Sequence, residues 1–578
     1  MPADIETFSR DLLAAIFRYG AQLNRPHEET PFLLKASGPS EDYFYSSSFQ
    51  MTVSSVNRRW RTIALDDPTL WNTIHFRTPS DIQKARLFLS RTAPRSSVGM
   101  NAMGFPEYPD QHLLDILILT VAPHEYIEGE NLSQTELAEI FSILTPETLR
   151  WRTFYLKVED NECRLRARRA LTQDCGPAPN LVTLQLYHFE DYANSDDLWN
   201  IIHRPPRMCF RNIVPSLKHV SLIGVNLPWH SSPYLGELES LELALHPEKI
   251  RPPYECWEMM LRSPNLKSLS ILYSGPKEPD GYDVTLVWPT PDSGRRITLD
   301  HLEHLKLSDL DPDYLITMLE LMLMPNVQRL ELDLIQDDGD YSRLLELCVG
   351  EDSSSSSGAG ELTQPLFAFL PSLMSLKLSA LDSCSIDAFK KFIYSLTELR
   401  GLELNFGTVC VGEDIWRLFV GENFIGSHSP TSTEGGEVEA ELEKTLDELE
   451  IEGSGPSSEV GSGESSSGSQ ESLIMFLPKL EVFTVQGLSG RRIRSMIMYR
   501  EDSLRSGVAS TQNTRYIIKY TQKMVLEDPV LKEMIDTGYC WFPNDDRRMG
   551  SDVEHEAGNE NNGWKVWVDL ELVVEDEE

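Results

Sequence analysis

Basic residues and long apolar runs are scarce in this chain of 578 residues. Lys and Arg number 52 against 90 Asp and Glu, which gives a net charge of -38. A surface of this sign repels phosphate groups and anionic lipid heads, so we expect no nucleic acid and no membrane among its partners. The longest apolar run, ILILTVA, is too short to span a bilayer.

Paired cysteines are also missing. None of the eight cysteines belongs to a CxxC pair, and the closest two lie twelve residues apart. This spacing indicates neither a disulfide framework nor a zinc site, and we expect no metal and no cofactor. The N-terminal stretch MPADIETFSRDLLAAIF carries acidic residues where a secretion signal needs basic ones. We therefore expect a reduced, intracellular protein, cytoplasmic or nuclear.

Catalytic motifs are absent as well. The sequence contains no GxSxG and no HExxH, and the two histidines of HLEHL, His301 and His304, do not converge on one metal in a strand. The basic run RLRARR at 164–169 could bind an acidic tail or act as a nuclear signal, although a solvated helix face is favoured. We expect a protein that is not an enzyme.

Two apolar patterns near the N-terminus predict helices. IETFSRDLLAAIFRY, residues 5–19, has apolar residues on one helical face: Phe8, Leu12, Leu13, Ile16 and Phe17. After a polar stretch over 20–48, FQMTVSSVNRRWRTIAL repeats the helical spacing with Phe49, Val53, Val56, Trp60 and Ile63. Pro68 ends this second helix, and Asp67 can cap a short turn that carries Leu70 and Trp71.

A different period follows. Nine copies of an L-x-x-L-x-L pattern begin at residues 181, 217, 238, 266, 302, 327, 373, 399 and 480, and a weaker copy, WRTFYL, begins at 151. The alternation within each copy predicts a strand with one buried side. Capped helical segments such as DPDYLITMLELMLMP lie between the copies. Strands and helices that alternate over 21 to 46 residues indicate a leucine-rich-repeat solenoid.

These patterns divide the chain. We predict an α/β protein in which a small helical domain precedes an irregular leucine-rich-repeat solenoid. The predicted boundaries are a helical domain over 1–76 with its insertion at 20–48, a connecting region over 77–150, the solenoid over 151–426, an acidic Ser/Gly/Glu-rich insertion over 427–472, and the last repeat with a C-terminal cap and tail over 473–578. The acidic insertion is too polar to fold unaided and is predicted to be disordered.

The helical domain resembles an F-box. The family pattern runs Leu-Pro-x-Glu-Leu-Leu-x-x-Ile-Phe, Val-Cys-Arg-x-Trp-Arg-x-Ile-Ala and Leu-Trp, and its counterparts here are FSRDLLAAIF, VNRRWRTIAL and PTLW. LFLSRTAPRS and LRWRTFYL extend the similarity to the F-box-like leucine-rich proteins of mushroom-forming fungi. Two departures are the Phe8-Ser9 pair in place of Leu-Pro and the insertion at 20–48.

The resemblance implies a substrate receptor of an SCF-type cullin-RING ubiquitin ligase. The F-box would dock on the ligase adaptor and thereby on the cullin scaffold, while the repeats hold a protein target. The implied adaptor-binding residues are Leu12, Leu13, Ile16, Phe17, Val53, Val56, Trp60, Ile63, Leu70 and Trp71. The alternatives are a helical domain that only caps the solenoid, and a repeat scaffold without ligase function.

Residues that alternate with the motif leucines should point away from the core and form the target-binding side of the sheet. This row is mixed in charge and lacks a basic stripe. The candidate target-binding residues are Tyr187, His219, Glu242, His304, Lys306, Arg329, Glu331, Lys377 and Glu403. The alternative is a solvated sheet face, with the target bound by a loop.

Overall fold

The computed structural model describes most of the chain. The described residues are 8–22, 31–35, 48–94, 99–101, 103–188, 209–278, 288–289, 296–335, 339–350, 365–381, 383–409, 477, 479–505, 515–520, 528–536 and 567–572. The predicted acidic insertion at 427–472 lies outside them, as does the insertion at 20–48 apart from residues 20–22, 31–35 and 48.

Three helices and one turn form the N-terminal helical unit: α1 (Arg10–Gln22), α2 (Ser48–Val56), α3 (Arg58–Asp66) and a 3-10 turn (Pro68–Leu70). The single helix predicted over 49–65 is wrong in one respect, because it is broken at Asn57. The extended backbone of Asn57 ends α2, and its Oδ1 accepts a hydrogen bond from the Trp60 amide at 2.8 Å, which starts α3. Asp67 caps the 3-10 turn through the Thr69 amide, as predicted.

Within the described residues, fourteen strands form one sheet, and they follow one another in chain order. They are β1 (Thr73–Phe76), β2 (Leu114–Leu119), β3 (Trp151–Val158), β4 (Thr183–His188), β5 (His219–Ile223), β6 (Ser240–Ala244), β7 (Ser268–Leu272), β8 (His304–Ser308), β9 (Arg329–Leu334), β10 (Ser375–Leu381), β11 (Gly401–Asn405), β12 (Val482–Gln486), β13 (Arg515–Tyr520) and β14 (Trp567–Leu572). Every neighbouring pair is parallel.

The other α-helices in the described part of the chain connect these strands. They are α4 (Asp81–Thr92), α5 (Gln134–Leu144), α6 (Asn161–Arg169), α7 (Tyr254–Leu261), α8 (Pro312–Glu320), α9 (Ser342–Val349), α10 (Ile386–Tyr394), α11 (Gly490–Arg505) and α12 (Pro529–Asp536). Two short strand pairs lie outside the sheet: Gly99–Met100 with Pro106–Glu107, and Ile297–Thr298 with Met322–Leu323. The predicted cap of α8 is confirmed, since Asp311 accepts from the Tyr314 amide and Pro312 is the first helical residue.

The motif residues form one continuous core with the helices. The fourth motif position is in register from strand to strand, for example Leu184 opposite Val220 and Leu305 opposite Leu330, and these side chains are buried. The core also takes apolar residues of the helices, such as Trp257 of α7 and Phe389 of α10. Burial of this row is what holds successive repeats together.

The predicted architecture is confirmed: an α/β chain in which N-terminal helices precede a long parallel sheet, consistent with a leucine-rich-repeat solenoid. All ten motif copies become strands. The sheet also extends beyond them in both directions, with β1 and β2 before residue 151 and β13 and β14 after the last copy.

Candidate interaction surfaces

Helix α1 has two apolar faces. Leu13 and Phe17 point into the helical unit and are buried. Leu12, Ile16 and Tyr19, spaced four and three residues apart, lie on another stripe and are 46%, 36% and 67% exposed. Predicting one apolar face for this helix was therefore wrong, since Leu12 and Ile16 do not share the buried side with Leu13 and Phe17. We call Leu12, Ile16 and Tyr19 the α1 stripe.

Charged and aromatic contacts hold α1 in place. Arg18 Nε donates to Asp67 Oδ2 at 2.6 Å, and Arg10 forms an ion pair with Asp66 at the same distance. The Phe17 and Trp60 rings pack with centroids 5.0 Å apart. The inner face of α1 is therefore fixed by α3 and the following turn, and the α1 stripe is held away from them.

The ten residues that the resemblance assigns to adaptor binding separate into two groups. Six are buried in the protein's own core: Leu13, Phe17, Val53, Ile63, Leu70 and Trp71. Leu12, Ile16 and Val56 are exposed and Trp60 is half-buried. Only this second group is accessible to another protein in this structure, and sequence reasoning missed Tyr19, which continues the stripe by one helical turn.

Trp71 belongs to the first repeat as well as to the helical unit. In WNTIHF, Trp71, Ile74 and Phe76 are buried and occupy the same motif positions as Trp151, Phe154 and Leu156 of WRTFYL. The Trp71 indole donates to the Ala64 carbonyl of α3 at 2.8 Å, and its ring packs edge-on against Phe88 of α4 at 5.1 Å. The first repeat thus begins on the last residue of the F-box-like pattern.

The sheet side opposite the leucine core, here called the open face, carries the candidate target-binding residues. The parallel register aligns one residue of each strand into a middle row. From β3 to β11 this row reads Tyr155, Gln185, Ser221, Glu242, Ser270, Lys306, Glu331, Lys377 and Glu403. Its first half is largely uncharged, and its second half alternates in charge.

Residues 31–35, Pro-Phe-Leu-Leu-Lys, lie across the first half of the open face, and we call them the cover segment. The amides of Leu33 and Leu34 both donate to Gln185 Oε1 at 2.9 Å, and Gln185 Nε2 donates back to the Leu34 carbonyl at 2.7 Å. The Tyr155 hydroxyl donates to the Pro31 carbonyl at 3.0 Å. Part of the face predicted to bind a target is thus occupied by the chain itself.

An apolar cluster receives the cover segment. Tyr187, Ile223 and Ala244 form a small cluster separate from the main core, and Leu34 and Leu272 pack against it. Tyr187, a candidate target-binding residue, is only 6% exposed for this reason. Burial also raises the pKa of Tyr187 to about 12, so its hydroxyl stays protonated.

A polar relay lies beside this cluster. Gln185 Nε2 also donates to Ser221 Oγ at 3.1 Å, and the Ser221 hydroxyl donates to the Glu242 carboxylate. Burial raises the pKa of Glu242, and the hydrogen bond from Ser221 offsets this only in part. His219 precedes Ser221 by two residues in β5, and its Nδ1 lies 3.1 Å from the Ser240 hydroxyl.

The second half of the open face is a ladder of paired charges. His304 Nε2 lies 3.0 Å from Glu331 Oε1, and Glu403 Oε1 lies 3.3 Å from Lys377 Nζ and 2.8 Å from Lys519 Nζ. Sequence reasoning missed Lys519 of β13, whose position on this face depends on a strand that has no L-x-x-L-x-L pattern. Arg329 is exposed at the edge of the ladder.

The ladder changes how its members ionise. Burial opposes the charge on Glu331, but the hydrogen bond from His304 and the charges of His304, Lys306 and Lys377 outweigh it and hold the Glu331 pKa at about 2. Burial likewise opposes the charge on Lys377, but Glu403 and Glu331 outweigh it and raise the Lys377 pKa. Glu331 and Lys377 therefore remain charged near neutral pH, and the ladder pairs acidic with basic side chains.

Other candidate features give no further site. Among the described residues, no group of three or more His, Cys, Asp or Glu side chains could hold a metal ion. In the same part of the chain, no helix is long and apolar enough to cross a membrane. The arginine run in α6 is not a fully solvated face as expected, since Arg164 is buried and Arg166 and Arg168 are half-buried.

The chain finds no match among models of known protein families, and no curated protein is significantly similar to it in sequence. The α1 stripe and the open face are therefore the basis for a functional proposal.

Proposed function

We propose that the protein is a substrate receptor of an SCF-type cullin-RING ubiquitin ligase. Its helical unit docks on the ligase adaptor and through it on the cullin scaffold, and its open face holds a protein target. The chain itself is not an enzyme in this proposal, because the ubiquitin is transferred by its partners.

The observation that carries this proposal is the α1 stripe. A helix that only packs on its own protein needs one apolar face, but α1 has a second one, with Leu12, Ile16 and Tyr19 left in water. Exposed large apolar side chains that recur at helical spacing are typical of a helix that binds a partner groove. The resemblance of FSRDLLAAIF and VNRRWRTIAL to an F-box identifies the ligase adaptor as that partner.

The charges of the open face support the second half of the proposal. Paired acidic and basic side chains favour a protein surface of mixed charge over a nucleic acid, because a polyanion would meet glutamates at every second position of the ladder.

A second candidate is a repeat scaffold without ligase function, in which the helical unit only caps the sheet. The dual role of Trp71 favours it, since the unit does pack on the first repeat. Capping, however, uses the buried residues and leaves the α1 stripe unexplained, and so we favour the receptor.

The test is calorimetric titration of the full chain with the ligase adaptor. We expect sub-micromolar, one-to-one binding that the double change Leu12→Glu and Ile16→Glu weakens at least about 100-fold, or ~2.8 kcal/mol. These residues are suitable because they are exposed, whereas a charge at the buried Leu13 would disrupt the fold.

The matched control is Leu165→Glu on α6, because Leu165 is exposed to the same 46% as Leu12 but lies far along the chain. It should bind the adaptor as the unchanged chain does, and all variants should keep the same helix content by circular dichroism. A folded wild-type chain that does not bind the adaptor would overturn the receptor proposal and leave the scaffold.

A further inference from the structure

The cover segment is held in the way that a bound peptide would be. Its hydrogen bonds to Gln185 and Tyr155 use only backbone groups of residues 31, 33 and 34, and any extended peptide carries these groups. The Leu34 side chain packs against the apolar cluster of Tyr187, Ile223 and Ala244. Extended peptides are commonly bound in this way: hydrogen bonds to the peptide backbone provide affinity, and a pocket for a side chain provides specificity.

The receiving side is built into the sheet. Gln185 is fully buried and its amide is oriented by the hydrogen bond to Ser221, whose own hydroxyl donates to Glu242. Its oxygen thus faces two backbone amides while its nitrogen faces a carbonyl and Ser221. Such an arrangement is specific for a peptide backbone, because only a backbone presents amides and a carbonyl at this spacing.

The hold on the cover segment is limited. Hydrogen bonds that replace bonds to water contribute little net free energy, and ordering a short segment costs a comparable amount. The segment remains in place because it belongs to the same chain, which raises its effective concentration at the site. A target that offers the same groups and more contacts can therefore compete with it.

We propose that Gln185, Tyr187, Ile223 and Leu272 form a binding site for an extended segment of a protein target with a leucine-like side chain. In the free chain the cover segment fills this site, and the target displaces it. This inference rests on the target-binding half of the proposed function and is independent of adaptor binding.

The experiment uses a fluorescein-labelled peptide with the sequence of residues 29–37, ETPFLLKAS, and measures its fluorescence anisotropy with the full chain. In the variant Leu34→Asp the cover segment loses its anchor in the apolar cluster. We expect this variant to bind the peptide with a Kd below about 100 μM and at least about tenfold more tightly than the unchanged chain does.

Two controls define the site. Adding Gln185→Ala to Leu34→Asp should abolish peptide binding, and a peptide with Asp in place of its second leucine should not bind. The matched variant Leu165→Asp, which makes the same change at an exposed leucine of α6, should behave as the unchanged chain. A folded Leu34→Asp variant that binds the peptide no better than the unchanged chain would overturn the proposal.

A second measurement needs no variant. Hydrogen exchange of residues 31–35 in the unchanged chain should speed up when the peptide is added at about 1 mM, because displacement exposes the Leu33 and Leu34 amides. Unchanged exchange at saturating peptide would show that the segment is a permanent part of the fold. The adaptor is absent from both assays, so this failure would leave the adaptor result untouched and move the target to the charged half of the open face.

Discussion

The two halves of the open face share one sheet and one leucine core but differ in chemistry. The half over β3–β7 is mostly uncharged and lies under the cover segment, while the half over β8–β11 carries the charge ladder. The row of residues that are in register with Ile223 shows this change. Ile223 of β5 is apolar, whereas the residue at the same position of β9 is Asp333. The buried core row therefore fixes the sheet, and the side chains on the opposite face are free to vary from strand to strand.

The largest effect is expected when a residue of one half is placed in the other half. Ile223→Asp puts a carboxylate into the apolar cluster, where Ile223 is fully buried, and should cost about 3 kcal/mol or more because burial removes the hydration of the charge. The reciprocal Asp333→Ile should change stability by only about 1 kcal/mol. Urea unfolding followed by tryptophan fluorescence measures both, and equal losses would show that the two halves do not differ.

A smaller effect is expected at the middle row. Gln185→Ala removes the partner of two backbone amides and one carbonyl, and should cost about 1–3 kcal/mol. Lys306→Ala, in the same row of the charged half, should cost about 0.5 kcal/mol or less. The midpoints of urea unfolding distinguish the two variants. A loss at Lys306 as large as that at Gln185 would contradict the role given to the cover segment.

The smallest effect concerns pH, and its sign should differ between the halves. The Glu331 pKa of about 2 lies below its ordinary 4.5, so the carboxylate stabilises the fold above about pH 4.5, and this is lost as the pH falls toward 2. For Glu242 the folded pKa is raised, so ionisation destabilises the fold, and this destabilisation is relieved as the pH falls through the raised pKa toward 4.5.

Glutamine variants and urea midpoints at pH 7, 5 and 3.5 test these signs. Lowering the pH should shrink the destabilisation by Glu331→Gln, which is about 1 kcal/mol or less at pH 7. For Glu242→Gln, lowering the pH should favour the unchanged chain instead. Parallel pH profiles for the two variants would mean that the two environments are alike.

Much of the sheet could be predicted because each repeat carries its own local signal. All ten motif copies form strands. In each copy, the alternation of apolar and polar residues indicates both the strand and the face of the sheet that is buried. The same signal is present in WNTIHF at 71 and LLDILI at 113, but the first overlaps the F-box-like pattern and the second lies within a longer apolar run. For β13 and β14 the signal is weaker, because Asn513 and Lys565 occupy the first motif position.

The two faces of α1 and the cover segment could not be predicted in the same way. The apolar residues at 12, 13, 16 and 17 of α1 look alike as helix-forming apolar positions, and only the packing of α3 and the Asp67 turn selects Leu13 and Phe17 as the inner pair. Likewise, Leu34 and Gln185 are 151 residues apart, and the sequence around either residue does not indicate that the two are in contact.

The repeat, the buried side of its strands and the charge of the chain follow from the sequence alone, because they depend on composition and on residue order within a few positions. Which apolar residues of α1 stay exposed, and which half of the open face is occupied, depends on the tertiary structure. Both outcomes depend on segments distant in sequence that compete for the same surface, and that competition is settled by packing and not by local propensity.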